Sequence, residues 1–160
     1  MRLNVGSGKK SYKDFANLDV KAHPGVDFVC EAWDTPFGDN SIEGIYCRQV
    51  LEHFTTENLE KTLTEWKRIL KSGSLIHVEV PDLLFACAQI SKKGKSPFLK
   101  HTSNFTHAYH SIFGWSIDEM EHKQGFTAKI LKNLFINFGF VDVKILKGRI
   151  CDLILEAKQS

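Results

Sequence analysis

Only seven residues separate the opening glycines from the next strand-like run. Residues 3–15 read LNVGSGKKSYKDF, and residues 16–20 (ANLDV) follow at once. The stretch from Lys9 to Phe15 holds barely one helical turn and a link, so a pyrophosphate seated on a full helix N-terminus is disfavoured. A phosphate-binding P-loop fails as well, because Gly8-Lys9 is followed by Lys10 and the first glycine position is Leu3. A dinucleotide fingerprint fits at Gly6 and Gly8 but meets Ser11 where its third glycine belongs. What remains is a tight turn at the carboxyl end of a first strand. It is either a plain strand exit or the floor of a ligand site.

The rest of the chain alternates between strand and helix signals. Strands are expected at residues 2–5, 16–20, 26–30 (VDFVC), 42–47 (IEGIYC) and 74–80 (SLIHVEV). Leu59, Leu63, Trp66 and Leu70 fall at helical spacing over residues 56–70. Thr55 or Thr56 is the expected N-cap, and Lys71-Ser72-Gly73 the expected stop. Asp82 caps a second expected helix over 83–90, and a third runs over 128–138 with Gly139 at its C-terminus. A hairpin around Lys147-Gly148-Arg149 closes the chain. The pattern predicts an α/β fold: a mostly parallel sheet, an antiparallel C-terminal strand and helices on both faces. Residues 91–125 break the rhythm with a run of aromatics and histidines, and an insert or lid over the sheet edge is expected there.

With 160 residues, one domain spanning 1–160 is expected. A net charge of +2 gives no reason to expect nucleic acid or an anionic membrane. No apolar stretch approaches the ~20 residues of a membrane-spanning helix. The chain enters a strand directly, so no signal peptide is expected. Cys30, Cys47, Cys87 and Cys151 form no CxxC pair and read as reduced core thiols of a cytoplasmic protein. The Asn104-Phe105-Thr106 sequon then carries no meaning.

Position suggests roles at the sheet edge. Asp19, at the tip of the second strand, is placed to accept hydrogen bonds from two ribose hydroxyls, and Val20 to lie against a purine face. The ordered string LNVGSG…NLDV…VDFVCEAWDTPFGDNSIEGIYCRQVLEHF…LKSGSLIHVEVPD then resembles a class I S-adenosylmethionine-dependent methyltransferase. More narrowly, it resembles the short group that begins directly at the first strand. The likeness covers roughly residues 3–82, and FTAKILKNLFINFGFVDV near the end is similar to the closing helix and strand of such domains.

That resemblance implies a Rossmann-like fold and S-adenosylmethionine as cofactor. It implies that Gly6 and Gly8 pass beneath the methionine part, with backbone contacts from Val5 and Ser7. It places Glu31 near the adenine amino group, where the family usually has Asp, and the Ala32 backbone beside the adenine ring. It puts Arg48, Gln49 and Val50 beside the sulfonium. No N-terminal covering helix is expected and the first helix is expected to be truncated, so the insert, a protein partner or a second copy is expected to supply a lid.

The acceptor side is less determined. A base is needed only if the acceptor loses a proton. His53, in the LEH segment, and His107, Tyr109 and His110, in the insert, are the candidates, each with a packing role as the alternative. Arg48 either binds an acidic substrate group or pairs with Glu52 or Asp39. His101, His107, His110 and His122 find no cysteine or short His–acid pair to complete a zinc site, so no metal is expected. Trp33 and Trp115 read as core or rim aromatics, and Lys92, Lys93 and Lys95 as a solvated loop. Cys47-Arg48-Gln49 replaces the N/D-PP-Y type motif of many amino-group methylases, which leans toward a small-molecule or sugar-like acceptor. The competing readings are a methyltransferase-like binding module working with a partner, and a dinucleotide or nucleotide-sugar protein.

Overall fold

The computed structural model describes residues 1–93, 109–115, 120–148 and 151–160. Seven strands form one sheet in the order β3-β2-β1-β4-β5-β7-β6. The strands are β1 (Arg2–Val5), β2 (Ala16–Asp19), β3 (Phe28–Val29), β4 (Ile42–Arg48), β5 (Leu70–Pro81), β6 (Phe140–Lys147) and β7 (Asp152–Gln159). β1 to β5 pair in parallel, and β7 runs antiparallel to β5 and β6. The strand order reverses between β1 and β4, and their carboxyl ends share one edge, where open α/β sheets bind ligands.

Register explains the core. Leu3, Ile45, Ile76 and Ala157 lie in one row across four strands, and Val5, Cys47, Val78 and Leu155 in the next. All eight are buried. Helix α1 (Thr56–Ile69) adds Leu59, Leu63 and Trp66 to this core, and α3 (Ala128–Asn137) adds Leu131 and Phe135. The alternate positions, Asn4, Tyr46, His77 and Glu156, form a polar and aromatic row on the opposite face. There the loop of residues 9–15, rather than a helix, lies over the sheet: the Tyr12 ring meets Tyr46 edge-on at 5.8 Å, and Arg2 sits 4.6 Å over Phe15.

Capping follows the sequence. The Thr55 hydroxyl accepts from the Asn58 amide at the start of α1. Asp82 Oδ1 accepts from the amides of Leu84 and Phe85 at the start of α2 (Leu83–Lys93). Gly139, with φ +81°, closes α3.

Several boundaries differ from expectation. β2 ends at Asp19, which leaves Val20 outside it, and β3 has two residues instead of five. Lys71-Ser72-Gly73 does not separate helix from strand. Leu70 already pairs with Ile42, and the ladder resumes at Leu75 with Gly44, so these residues bulge within β5. β6 carries its own irregularity at Asp142, whose φ is +52°. Of the four free thiols Cys47 and Cys151 are buried, but Cys87 is exposed on α2 and is no core residue. No helix among the described residues is long and apolar enough to cross a membrane.

Candidate active site

The glycine turn is held from below. The amides of Gly6 and Ser7 both donate to the Leu18 carbonyl, at 2.9 and 3.0 Å. Gly6 (φ +68°) and Gly8 (φ +54°) are both left-handed, a region that favours glycine. They differ in what lies above them. A Cβ on residue 6 would come 2.1 Å from Val50 Cγ2, whereas nothing lies within 4 Å of one on residue 8. Gly6 is thus covered by Val50, and Gly8 faces open space.

Asp19 braces the same turn. Its Oδ2 accepts from the Gly8 amide at 2.7 Å and its Oδ1 from the Lys21 amide at 2.9 Å. Val20 beside it is half exposed. The Cys30 amide donates to the Asp19 carbonyl, which brings Glu31 and the buried Ala32 beside the tip of β2. Val5, Gly6, Ser7, Gly8, Asp19 and Val50 therefore gather at one edge of the sheet.

A polar network replaces the missing helix. Buried Asn17 donates from Nδ2 to the carbonyls of Tyr12 and Phe15 and to Asp27 Oδ2. Its Oδ1 accepts from Asn4 Nδ2 and from the Tyr12 amide. Asn4 also donates to the Lys10 carbonyl. Two buried asparagines thus satisfy the Tyr12 amide and the Lys10, Tyr12 and Phe15 carbonyls of the loop, which periodicity could not reveal.

At the end of β4, Arg48 Nε lies 3.1 Å from Glu79 Oε2, and neither Glu52 nor Asp39 is its partner. Parallel register sets Arg48 directly across from Glu79, while Asp39 pairs with Arg68 and Glu52 turns inward. Gln49 follows with φ +55°, sparsely populated for a side chain of its size. Its amide donates to the Glu79 carbonyl at 2.9 Å.

Beyond this turn lies a cavity of about 310 Å³. Its walls include Arg48, Gln49, Glu52, His53, His110 and His122. A short helix (residues 51–53) places Glu52 and His53, and the insert supplies the two other histidines. The insert is fastened there: the Lys123 and Gln124 amides donate to the Glu52 carbonyl, and Gly114 bridges Glu121. Gly114 is required, since a Cβ would lie 2.1 Å from the Met120 carbonyl oxygen. The His110 ring stacks on Trp115 at 3.6 Å. Tyr109 turns toward Phe113 and does not line the cavity. His101 and His107 fall outside the described residues.

Glu52 is the residue that sequence reading passed over. It is 1 % exposed, and neither carboxylate oxygen has a hydrogen-bond partner among the described residues. Burial, against the opposing pull of the nearby Glu52 and Val50 backbone amides and with a smaller push from the charge of Asp152, raises its carboxyl to about 8. Burial likewise holds His53 and His122 below the usual histidine range. The signal was the Glu-His pair directly after a strand at the ligand edge of the sheet.

Other parts of the ordered string are structural. Arg68 on α1 binds Asp39, Glu65 and the Phe37 carbonyl, and the Asn40 and Ser41 amides donate to the carbonyls of Arg68 and Ile69. The DTPFGDNS segment thus locks a loop onto a helix.

A family model described as a methyltransferase domain matches residues 7–78. Among solved structures, an S-adenosylmethionine-dependent methyltransferase of Archaeoglobus fulgidus superposes with a TM-score of 0.68 at 17% identity, covering 98% of this chain and 85% of the other. The chain has the class I S-adenosylmethionine-dependent methyltransferase fold. A methyltransferase of the same description from Thermotoga maritima matches with a TM-score of 0.67 at 17% identity, over 99% of this chain and 82% of its own. The 1,6-didemethyltoxoflavin-N1-methyltransferase of Burkholderia thailandensis, solved with 1,6-didemethyltoxoflavin and S-adenosylhomocysteine, matches with a TM-score of 0.65 at 14% identity, over 99% and 70%. No curated protein matches the sequence. The cofactor that goes with this methyltransferase fold is S-adenosylmethionine.

Proposed function

We propose that the chain transfers a methyl group from S-adenosylmethionine to a small-molecule or sugar-like acceptor. The observation that carries this reading is the open space above Gly8, beside the Asp19 carboxylate. No side chain crowds the position a Cβ would take on Gly8, which leaves room for a ligand atom to approach the turn, and Asp19 keeps acceptor capacity beyond its two amide bonds. When bound, the sulfonium supplies an already activated methyl group.

The chain's residues then bind and align. The backbone of Val5, Gly6, Ser7 and Gly8 forms the floor, and Asp19 accepts from the ribose hydroxyls. Val20, Glu31 and Ala32 flank the purine. Arg48, Gln49 and Val50 close the turn at the methyl-bearing end, between the cofactor groove and the cavity. The cavity orients the acceptor, and positioning within ~3–3.5 Å supplies much of the rate. His53 and His110 face the acceptor, and neutral His53 is available to receive a proton. A volume of about 310 Å³ supports a small acceptor, at the lower end of ordinary ligand sites.

The test is turnover. The purified chain, given labelled S-adenosylmethionine and a panel of small hydroxyl-, thiol- and amine-bearing acceptors, is expected to form S-adenosylhomocysteine with at least one class. Cofactor binding without product across the panel would count against this acceptor reading.

A further inference from the structure

Glu52, His53 and His122 converge on one wall of the acceptor cavity. One ligand atom from each lies within 4.8 Å of the others. No hydrogen bond or ion pair joins Glu52 to either histidine, and the Glu52 carboxylate is buried with no partner among the described residues. A buried carboxylate in that state lacks a compensating donor or cation. Both histidines are already oriented. His53 Nδ1 lies 3.1 Å from the Glu121 carbonyl, and His122 Nδ1 lies 3.2 Å from the Ser111 carbonyl. An Nδ1–H donated to a carbonyl fixes the tautomer and leaves Nε2 as the basic nitrogen, which is how metal-binding histidines are commonly held.

We propose that Glu52, His53 and His122 bind a divalent first-row transition cation, of the Zn²⁺ class, with its open coordination position facing the acceptor cavity. One carboxylate and two imidazoles form the donor set of open zinc sites, and it suits borderline cations better than Mg²⁺ or Ca²⁺. Ligand distances near 2.0–2.2 Å require the three groups to draw together around the ion. No metal is expected from the sequence, because His122 is 69 residues from His53 and the pairing exists only after the insert folds back. An acceptor oxygen or nitrogen would then be the exchangeable fourth ligand, a role that rests on reading this cavity as the acceptor side; His53 holds the cation in that state, and His110 is left to receive the proton. Cation binding itself does not depend on that reading.

The test uses the whole chain without cofactor. After chelator treatment and dialysis, Co²⁺ titration followed by visible absorption is expected to give one equivalent of a low-symmetry spectrum that Zn²⁺ displaces. Nitrogen NMR should shift the imidazoles of two of the seven histidines on Zn²⁺ addition. Glu52→Gln and His122→Gln should each weaken Co²⁺ binding at least tenfold. The histidine shifts in the unaltered chain decide the matter if either variant fails to fold. No spectrum with stoichiometric Co²⁺, unchanged affinity in both folded variants, or a thiolate charge-transfer band would overturn the site. S-adenosylmethionine binding, measured separately, reports on the cofactor groove and not on this one.

Discussion

The backbone amide of Gly8 donates to Asp19 Oδ2 at 2.7 Å, so the glycine turn after β1 and the acid at the tip of β2 form one rigid unit. That bond orients the carboxylate that the proposed ribose site uses. Asp19→Ala is expected to weaken S-adenosylhomocysteine binding by about 1–3 kcal/mol, since two hydroxyls lose a charged acceptor. Asp19→Asn should lose less. Titration calorimetry reads both, and unchanged affinity in the alanine variant would remove the ribose assignment.

The two glycines of the turn should separate fold from binding. Gly6→Ala drives a Cβ into Val50 at a left-handed φ, a combination expected to cost about 1–3 kcal/mol of stability. Adding Val50→Ala should recover part of that loss. Gly8→Val carries the left-handed strain too, at about 1–3 kcal/mol, but its Cβ meets no protein atom, so the chain should still fold while losing cofactor affinity by bulk. Urea denaturation of the three variants, with calorimetry on the last, checks the contrast. A Gly8→Val protein of normal affinity would mean the cofactor takes another path.

Asn17→Ala removes the hub that satisfies the loop replacing a helix. About 2–3 kcal/mol of destabilisation is expected, because one buried and several partly buried groups lose their partner at once. Protease cleavage should appear first within residues 9–15. A variant as stable as the parent would show that solvent satisfies these groups.

Glu52 gives a pH signature in the metal-free chain. Its folded carboxyl sits at about 8, above its unfolded value near 4.5, so the folded state binds the extra proton between those values. Its contribution to stability is complete below about pH 4.5 and is lost as pH rises through about 8, at up to ~1.4 kcal/mol per pH unit. His53 and His122, held low by burial, act in the opposite direction at acid pH. The difference between the parent and Glu52→Gln cancels most of their effect. With chelator present, the variant should gain on the parent steadily from pH 5 to 8. A constant difference would mean that Glu52 titrates normally.

Periodicity made the frame legible. The α1 stripe of Leu59, Leu63 and Trp66, its Thr55 cap, the Asp82 cap and the turn after β1 all appear in the structure because each depends on neighbours close in sequence. What depends on distant pairing was not legible. Leu70 joins β5 because Ile42 lies beside it, Arg48 finds Glu79 through parallel register, and Asn17 reaches Tyr12, Asp27 and Asn4 through a loop with no pattern. Glu52 was missed for the same reason: its burial and its approach to His122 arise only when the insert returns to cover it.

The most direct measurement is calorimetric titration of the purified chain with S-adenosylmethionine and, separately, S-adenosylhomocysteine. Micromolar binding of both at one site is expected, lost in Gly8→Val. Absence of heat with either ligand, from a chain shown to be folded, would contradict the assignment of the Gly6-Ser7-Gly8 turn and Asp19 as a methyl-donor site.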